Sequence, residues 1–287
     1  MVYLTHFEFP TRPVEEDWWM SIRRTCYDSI YPFYTLSERQ FQMIDFEPVT
    51  ILYGGNGSGK STALNVIAEK LHLEREALYN RSNFFEDYLG FCSYKTEGRK
   101  RIPENSRIIT SDDVFDFMIT LRGMNQGVDL RWEELLKEYL DLKGSHFQFK
   151  SLDDYDMLKK SRAAKTQTQS RFVRSFLKNN LREHSNGESA IMFFEERIQD
   201  NGLYLLDEPE NSLSPERQIE LKKFLEISVQ SYGCQFVIAT HSPFLLSMRG
   251  AKIYDLDEEI VDVKRWTELK NVRMYFDFFE EHRNDFL

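Results

Sequence analysis

A lysine and a serine that close a glycine-rich run make a grip for phosphate. Residues 54–61 read GGNGSGKS, the pattern G-x-x-x-x-G-K-[ST], in which small residues let consecutive backbone N–H groups curl around an anion. Lys60 can reach the β- and γ-phosphates of a nucleotide, the Ser61 hydroxyl can ligate Mg²⁺, and a helix starting at Lys60 adds its positive N-terminal end. Gly55, Asn56, Gly57, Ser58, Gly59, Lys60, Ser61 and Thr62 are therefore the candidate nucleotide contacts. A second chemistry follows the apolar run Leu203 to Leu206, where Asp207 and Glu208 are adjacent carboxylates. Neighbours in a strand point to opposite faces, so the two acids can take separate tasks, Asp207 toward the metal and Glu208 toward an attacking water. Pro209 cannot continue a central strand and gives the pair a sharp exit.

Two further groups have weaker signatures. Thr240, His241 and Ser242 follow the apolar run "FVIA", and His241 could hold a γ-phosphate oxygen and align the water; a satisfied polar residue at a strand edge is the other reading. Ser185 and Gly187 precede the predicted helix from Glu188. They read either as a second anion-binding helix terminus or as an N-cap with its capping glutamate.

These residues need a scaffold that brings strand ends together. Apolar alternation in "VYLTHFEF" and "RQFQMIDFEPVTILY" predicts strands, separated by a helix over 13–31. The helix from Lys60 leads to a polar, aromatic loop over 79–101, a strand at 106–110, and a helix with Ser111 at its cap. The middle reads mostly helical, from Asp112 to Glu183. Three short apolar strands follow, in "GLYLLDEPE", "CQFVIATHS" and "AKIYDLD", with helices between and after them. Strands alternating with helices around a phosphate loop predict an α/β fold, a mostly parallel sheet with ligands at its C-terminal edge. Tyr275, Phe276, Phe278 and Phe279 on the last helix are expected in the core.

Composition narrows the class. The apolar fraction of 41% and charged fraction of 29% are those of a soluble globular chain. No stretch approaches the roughly 18 apolar residues of a membrane span, and the N-terminus lacks a basic-then-apolar signal pattern, so a cytoplasmic protein is expected. Cys26, Cys92 and Cys234 are scattered without metal-binding spacing and read as ordinary thiols. The net charge of −10 argues against a whole-surface grip on nucleic acid. A local grip stays open, because residues 159–182 contain no acid and place Arg171, Arg174, Lys178 and Arg182 at helical spacings. That stripe is either a solvated face answering acids such as Asp153, Asp154 and Asp156, or a phosphate-binding surface.

Taken in order, "GGNGSGKST", "HSNGES", "LYLLDEPENSLSP" and "VIATHSPF" resemble the Walker A, signature, Walker B with D-loop, and H-loop segments of the ABC-type ATPases. The resemblance spans about residues 50–256. It implies a P-loop NTPase fold over the whole chain, 1–287, with N-terminal antiparallel strands and a helical subdomain at about 112–187. It also implies a Mg²⁺-dependent ATPase that closes as a head-to-tail homodimer on two ATP molecules. Ser185 and Gly187 would then contact a γ-phosphate across the dimer, Glu208 would be the general base, and Asn211, Ser212 and Leu213 would cross the interface. Arg23, Arg24, Tyr31, Phe33 and Tyr34 would lie in the N-terminal region that approaches nucleotide in this superfamily.

Transporter subunits of that family carry Gln where this chain has Glu188, and a second Gln where it offers Ser111, Asp112 or Asp113. A Glu-ending signature resembles instead the SMC and RecF-like ATPases, although residues 113–185 are too few for a long coiled-coil arm. The nearest likeness is to compact bacterial AAA-family ATPases of the ABC type, which implies a separate effector protein, a nuclease or toxin or a nucleic-acid-linked complex in phage defence or DNA repair. The competing expectations are the ATPase subunit of a membrane transporter and a nucleotide-gated interaction module with negligible hydrolysis.

Overall fold

Three apolar runs, Val49–Tyr53, Leu203–Asp207 and Gln235–Thr240, form the centre of the fold, as expected of strands covered on both faces. The computed structural model describes residues 1–23, 29–99, 101–126, 186–211 and 213–287, with short stretches between 135 and 172. Within these, the order is β1 (Leu4–Glu8), α1 (Arg12–Ser21), β2 (Met43–Asp45), β3 (Val49–Tyr53), α2 (Lys60–Lys70), α3 (Phe85–Phe91), β4 (Ser93–Thr96), β5 (Arg107–Thr110) and α4 (Ser111–Gln126). Then come α5 (Asn186–Arg197), β6 (Leu203–Asp207), α6 (Pro215–Ser231), β7 (Gln235–Thr240), the single turn α7 (Pro243–Leu246), β8 (Lys252–Asp255), β9 (Asp262–Lys264) and α8 (Lys270–Glu281).

The main sheet runs β5-β6-β7-β3-β8-β9, parallel except for β9, which pairs antiparallel with β8. A second sheet, β2-β1-β4, is antiparallel. Side-chain alternation splits the interior into two layers. Leu203, Leu205, Val237 and Ala239 join the cluster that includes α2 and the small sheet. Tyr204, Leu206, Phe236 and Ile238 face the cluster of α5 and α6. A separate small cluster unites Leu135, Tyr139, Leu142, Ala164 and Phe172. No described helix is long and apolar enough to cross a membrane.

Several elements differ from the sequence expectation. The first helix ends at Ser21 instead of residue 31, and Arg24 and Cys26 lie outside the described residues. The expected loop at 79–101 contains α3 and β4. Phe85, Tyr88 and Leu89 are buried at helical spacing, a signal hidden among polar neighbours. Ser111 is the first residue of α4, and its cap is Thr110. The Asp113 amide donates to Thr110 Oγ1 at 3.4 Å while Asp113 Oδ2 accepts from the Thr110 amide at 2.7 Å, a reciprocal box. The terminal helix departs furthest. Tyr275, Phe276, Phe278 and Phe279 are 47, 56, 55 and 54% exposed, and Val272 is the residue that α8 buries. Val272, Tyr275, Phe276 and Phe279 recur at helical spacing on one face of α8, and that face lines an open cavity instead of packed core.

Gln235 joins the two sheets and gave no signal in the sequence. Its side chain is fully buried; Oε1 accepts from the amides of Tyr3 and Leu4 at 2.7 and 3.0 Å, and Nε2 donates to Leu4 O at 2.8 Å. Gln235→Met would leave those backbone groups buried and unpaired. We expect a loss of about 2–4 kcal/mol in unfolding free energy, read by urea denaturation; an unchanged midpoint would mean that the small sheet is held by its apolar face alone.

Candidate active site

The parallel ladders bring the reactive segments to one edge. In register, Tyr53 pairs with Thr240, Asp207 with Ala239, and Thr110 with Asp207, so β3, β6, β7 and β5 end at the same level. The phosphate-loop sequence begins where β3 stops. Gly57 and Gly59 have φ of +81° and +98°, the left-handed region that a side chain would strain. At Gly59 a Cβ would also come within 3.0 Å of Leu36 Cδ2. The buried Lys60 bends back over the loop, its Nζ donating to Gly54 O at 2.6 Å and Gly55 O at 3.0 Å. Thr62 in the first turn of α2 accepts from the Tyr31 hydroxyl at 3.2 Å. Asp257, which no motif marked, accepts from the Gly55 amide through Oδ1 at 2.8 Å and steadies the loop entrance.

Ser61 Oγ donates to Asp207 Oδ1 at 3.0 Å, which brings the two expected metal ligands together. Asp207 keeps some accessible surface, yet enough protein surrounds its carboxyl to push the pKa from 3.8 to about 7. Burial is the largest cause and the Glu208 charge adds to it, while Ser61 and Lys60 pull the other way. A hydroxyl and a carboxylate that resists carrying its charge alone are suited to a hard divalent cation. These residues fit Mg²⁺, which would take its remaining ligands from phosphate and water.

Strand alternation does not orient Glu208. β6 ends at Asp207, and Glu208 turns into the left-handed region with φ of +49°, a strained conformation for a residue bearing a side chain. Three bonds hold the turn. The Glu208 amide donates to Ala239 O at 2.9 Å, the Asn211 amide donates to Glu208 O at 3.1 Å, and Asn211 Nδ2 donates to Glu208 Oε2 at 2.9 Å. Glu208 Oε1 lies 3.9 Å from Lys60 Nζ. One carboxylate oxygen is thus bonded to Asn211 and the other faces the lysine.

His241 follows β7 with its side chain 45% exposed and Nδ1 at 3.5 Å from Glu210 Oε1. Glu210 is the second residue that motif reading missed; the acid after Pro209 carried no assigned role. An apolar cavity of about 730 Å³ opens beside it, between α7 and α8, with His241 and Phe276 on its wall. Gly187 lies in the first turn of α5, whereas Ser185 and Ser212 fall outside the described residues. Of the expected alternatives near the β5 end, Asp113 is engaged in the α4 cap, and Asp112 accepts from Thr168 Oγ1 at 2.9 Å. Most of the basic stripe, including Arg174, Lys178 and Arg182, also lies outside the described residues. Arg171 within it is 3.8 Å from Asp112 and so answers an acid of the same chain.

Residues 168–246 match the AAA ATPase domain family. The tungstate uptake system ATP-binding protein TupC of Campylobacter jejuni is 27% identical over 245 residues, covering 84% of this chain. The aligned part spans 64% of that protein's length. A Pyrococcus furiosus Smc head domain, solved with an extended coiled coil and the C-terminal domain of ScpA, is 13% identical at a TM-score of 0.38, covering 99% of this chain and 100% of that one. A nucleotide-free ATP-binding cassette from an ABC transporter is 15% identical at 0.38, covering 96% of each chain.

The Asp207 shift predicts a pH signature. Because its folded pKa lies above the unfolded one, the folded chain binds the extra proton and loses stability as pH rises through the window from 3.8 to about 7. Without Mg²⁺ or nucleotide, Asp207→Asn should therefore melt at a higher temperature than wild type near pH 8, by a margin that shrinks toward about pH 4. Thermal denaturation across that range checks it, and a margin independent of pH would refute the burial-driven shift.

Proposed function

We infer that this chain, an ATPase of the ABC/SMC-like P-loop class, is a switch in which two copies close head to tail on Mg²⁺-ATP and transmit the closure to a separate effector. The observation that carries the reading is the convergence of Lys60, the Ser61–Asp207 pair, Glu208 and His241 at the ends of three adjacent parallel strands. Bound Mg²⁺ would neutralise phosphate charge and polarise the phosphoryl oxygens. Lys60 exchanges its loop carbonyls for phosphate oxygens, and the amides of 55–62 supply the cradle. Glu208, oriented by Asn211, accepts the proton of the attacking water, and His241 holds a terminal phosphate oxygen. Ser185 and Gly187 of the second copy complete the site, so turnover depends on closure, a population shift driven by contacts to the terminal phosphate.

The partner is a soluble effector in the cytoplasm, a nuclease, a toxin or a nucleic-acid-linked complex. Residues 159–182 are the candidate nucleic-acid contact. Glu188 in place of the transporter glutamine favours this reading. The likeness to TupC favours the second one, an ATP-binding subunit of an uptake system, which requires a membrane-spanning partner and co-purification with membrane.

The test is solution mass and phosphate release in the same samples. Glu208→Gln should lower turnover by about 100-fold or more, the scale of a lost general base, and accumulate as a dimer with Mg²⁺-ATP while wild type reverts to its starting mass. Monomeric Glu208→Gln at saturating ATP would reject the switch. A second comparison reverses the charge at Arg171 and Arg174: nucleic-acid binding that is salt-sensitive in wild type should be lost, and binding that survives would remove the stripe from the interface.

A further inference from the structure

Glu210 has an unusual set of partners for a buried acid. Its side chain is 4% exposed, and a single oxygen, Oε1, accepts from Thr240 Oγ1 at 2.6 Å, the His241 amide at 3.0 Å and the Ser242 amide at 3.2 Å. Its other oxygen, Oε2, is buried with no hydrogen-bond partner. Among the described residues the one basic group within ion-pairing distance is His241, whose Nδ1 lies 3.5 Å from Oε1. Burying a carboxylate with half its capacity unused is costly, and a neutral side chain could cap the 240–242 turn more cheaply.

The same short segment holds Glu208. Asn211 binds the Glu208 carboxylate, and the Leu213 amide donates to Glu210 O at 3.0 Å, so that Glu208 is bonded to Asn211 and Glu210 to Leu213. A second tether runs parallel to Glu210: Ser242 Oγ donates to Gln218 Oε1 at 2.6 Å, and Gln218 Nε2 donates to Leu213 O at 2.9 Å. The turn after β6 and the turn after β7 are therefore joined by side chains as well as by their strands.

We propose that Glu210 is a positioning residue for hydrolysis. It locks the 240–242 turn to the 208–211 turn, and its carboxylate, 3.5 Å from Nδ1, orients the His241 ring and leaves Nε2 facing the substrate. The inference rests on the proposed role of His241, and the experiment separates the two.

The experiment compares wild type with Glu210→Gln, His241→Ala and the double variant, measuring kcat and the affinity for a non-hydrolysed ATP analogue. Amide hydrogen exchange at 241 and 242 is followed in wild type, Glu210→Gln and Glu210→Ala. Glu210→Gln keeps an acceptor oxygen and removes the charge. It should lower kcat by about 10-fold or more with analogue affinity within about two-fold, and in the His241→Ala background its further effect should be under about two-fold. Glu210→Ala should speed exchange at 241 and 242 by about 10-fold or more, with Glu210→Gln close to wild type. Wild-type kcat in Glu210→Gln, or equal losses in both backgrounds, overturns the proposal. Should His241→Ala alone retain full turnover, the role of His241 fails instead. The lock is then decided by exchange: unchanged protection in Glu210→Ala overturns it, as does faster exchange in Glu210→Gln if the alanine variant does not fold.

Discussion

The hydrogen-bonded register of β6, β7 and β3 sets the distances on which the site depends. Parallel ladders are evenly spaced, so three strands that stop at one level present their following residues along one edge. Asp207 is the last residue of β6 and meets Ala239, while Tyr53 meets Thr240. A slip of one residue would reverse the alternation that sends Leu205 and Leu206 to different layers, so the two-layer core enforces the register that the chemistry requires.

On this frame the site carries more negative charge than the protein alone can comfortably hold. Asp207, Glu208 and Glu210 lie on four consecutive residues, with Lys60 and His241 as their basic neighbours. The nucleotide of the proposed function would add further negative charge. Burial above all, with the Glu208 charge adding to it, raises the pKa of Asp207, and a divalent cation at Ser61 and Asp207 would relieve both. Strain enters at the same place. Glu208 adopts a left-handed backbone conformation held by bonds to β7 and to Asn211 in its own turn, a cost accepted where a side chain must leave the sheet in one defined direction.

Supports outside the motifs complete the site. Asp257 after β8 holds the Gly55 amide, and the Asn271 amide at the start of α8 donates to Tyr53 Oη at 3.2 Å. The strand that launches the glycine-rich loop is thereby tied to α8. That helix keeps its aromatic residues at the surface beside a cavity that His241 also borders. The terminal region is structurally continuous with the site despite its distance along the chain.

The motifs by themselves determined the glycine-rich turn after β3, the adjacent acids at the end of β6, the parallel α/β class and the strand ends that meet at one edge. Each is a local pattern: glycine spacing dictates a backbone curl, and an apolar run followed by acids dictates a buried strand with a polar exit. Tertiary structure decided the rest. Gln235, Glu210 and Asp257 act through partners as far as 232 residues away, and a polar residue does not reveal from its own position which distant amide it will meet. The exposure of the terminal aromatics was beyond local pattern for the same reason. Hydrophobicity states that a side chain gains from burial, but only the packed neighbours determine whether a surface exists to bury it.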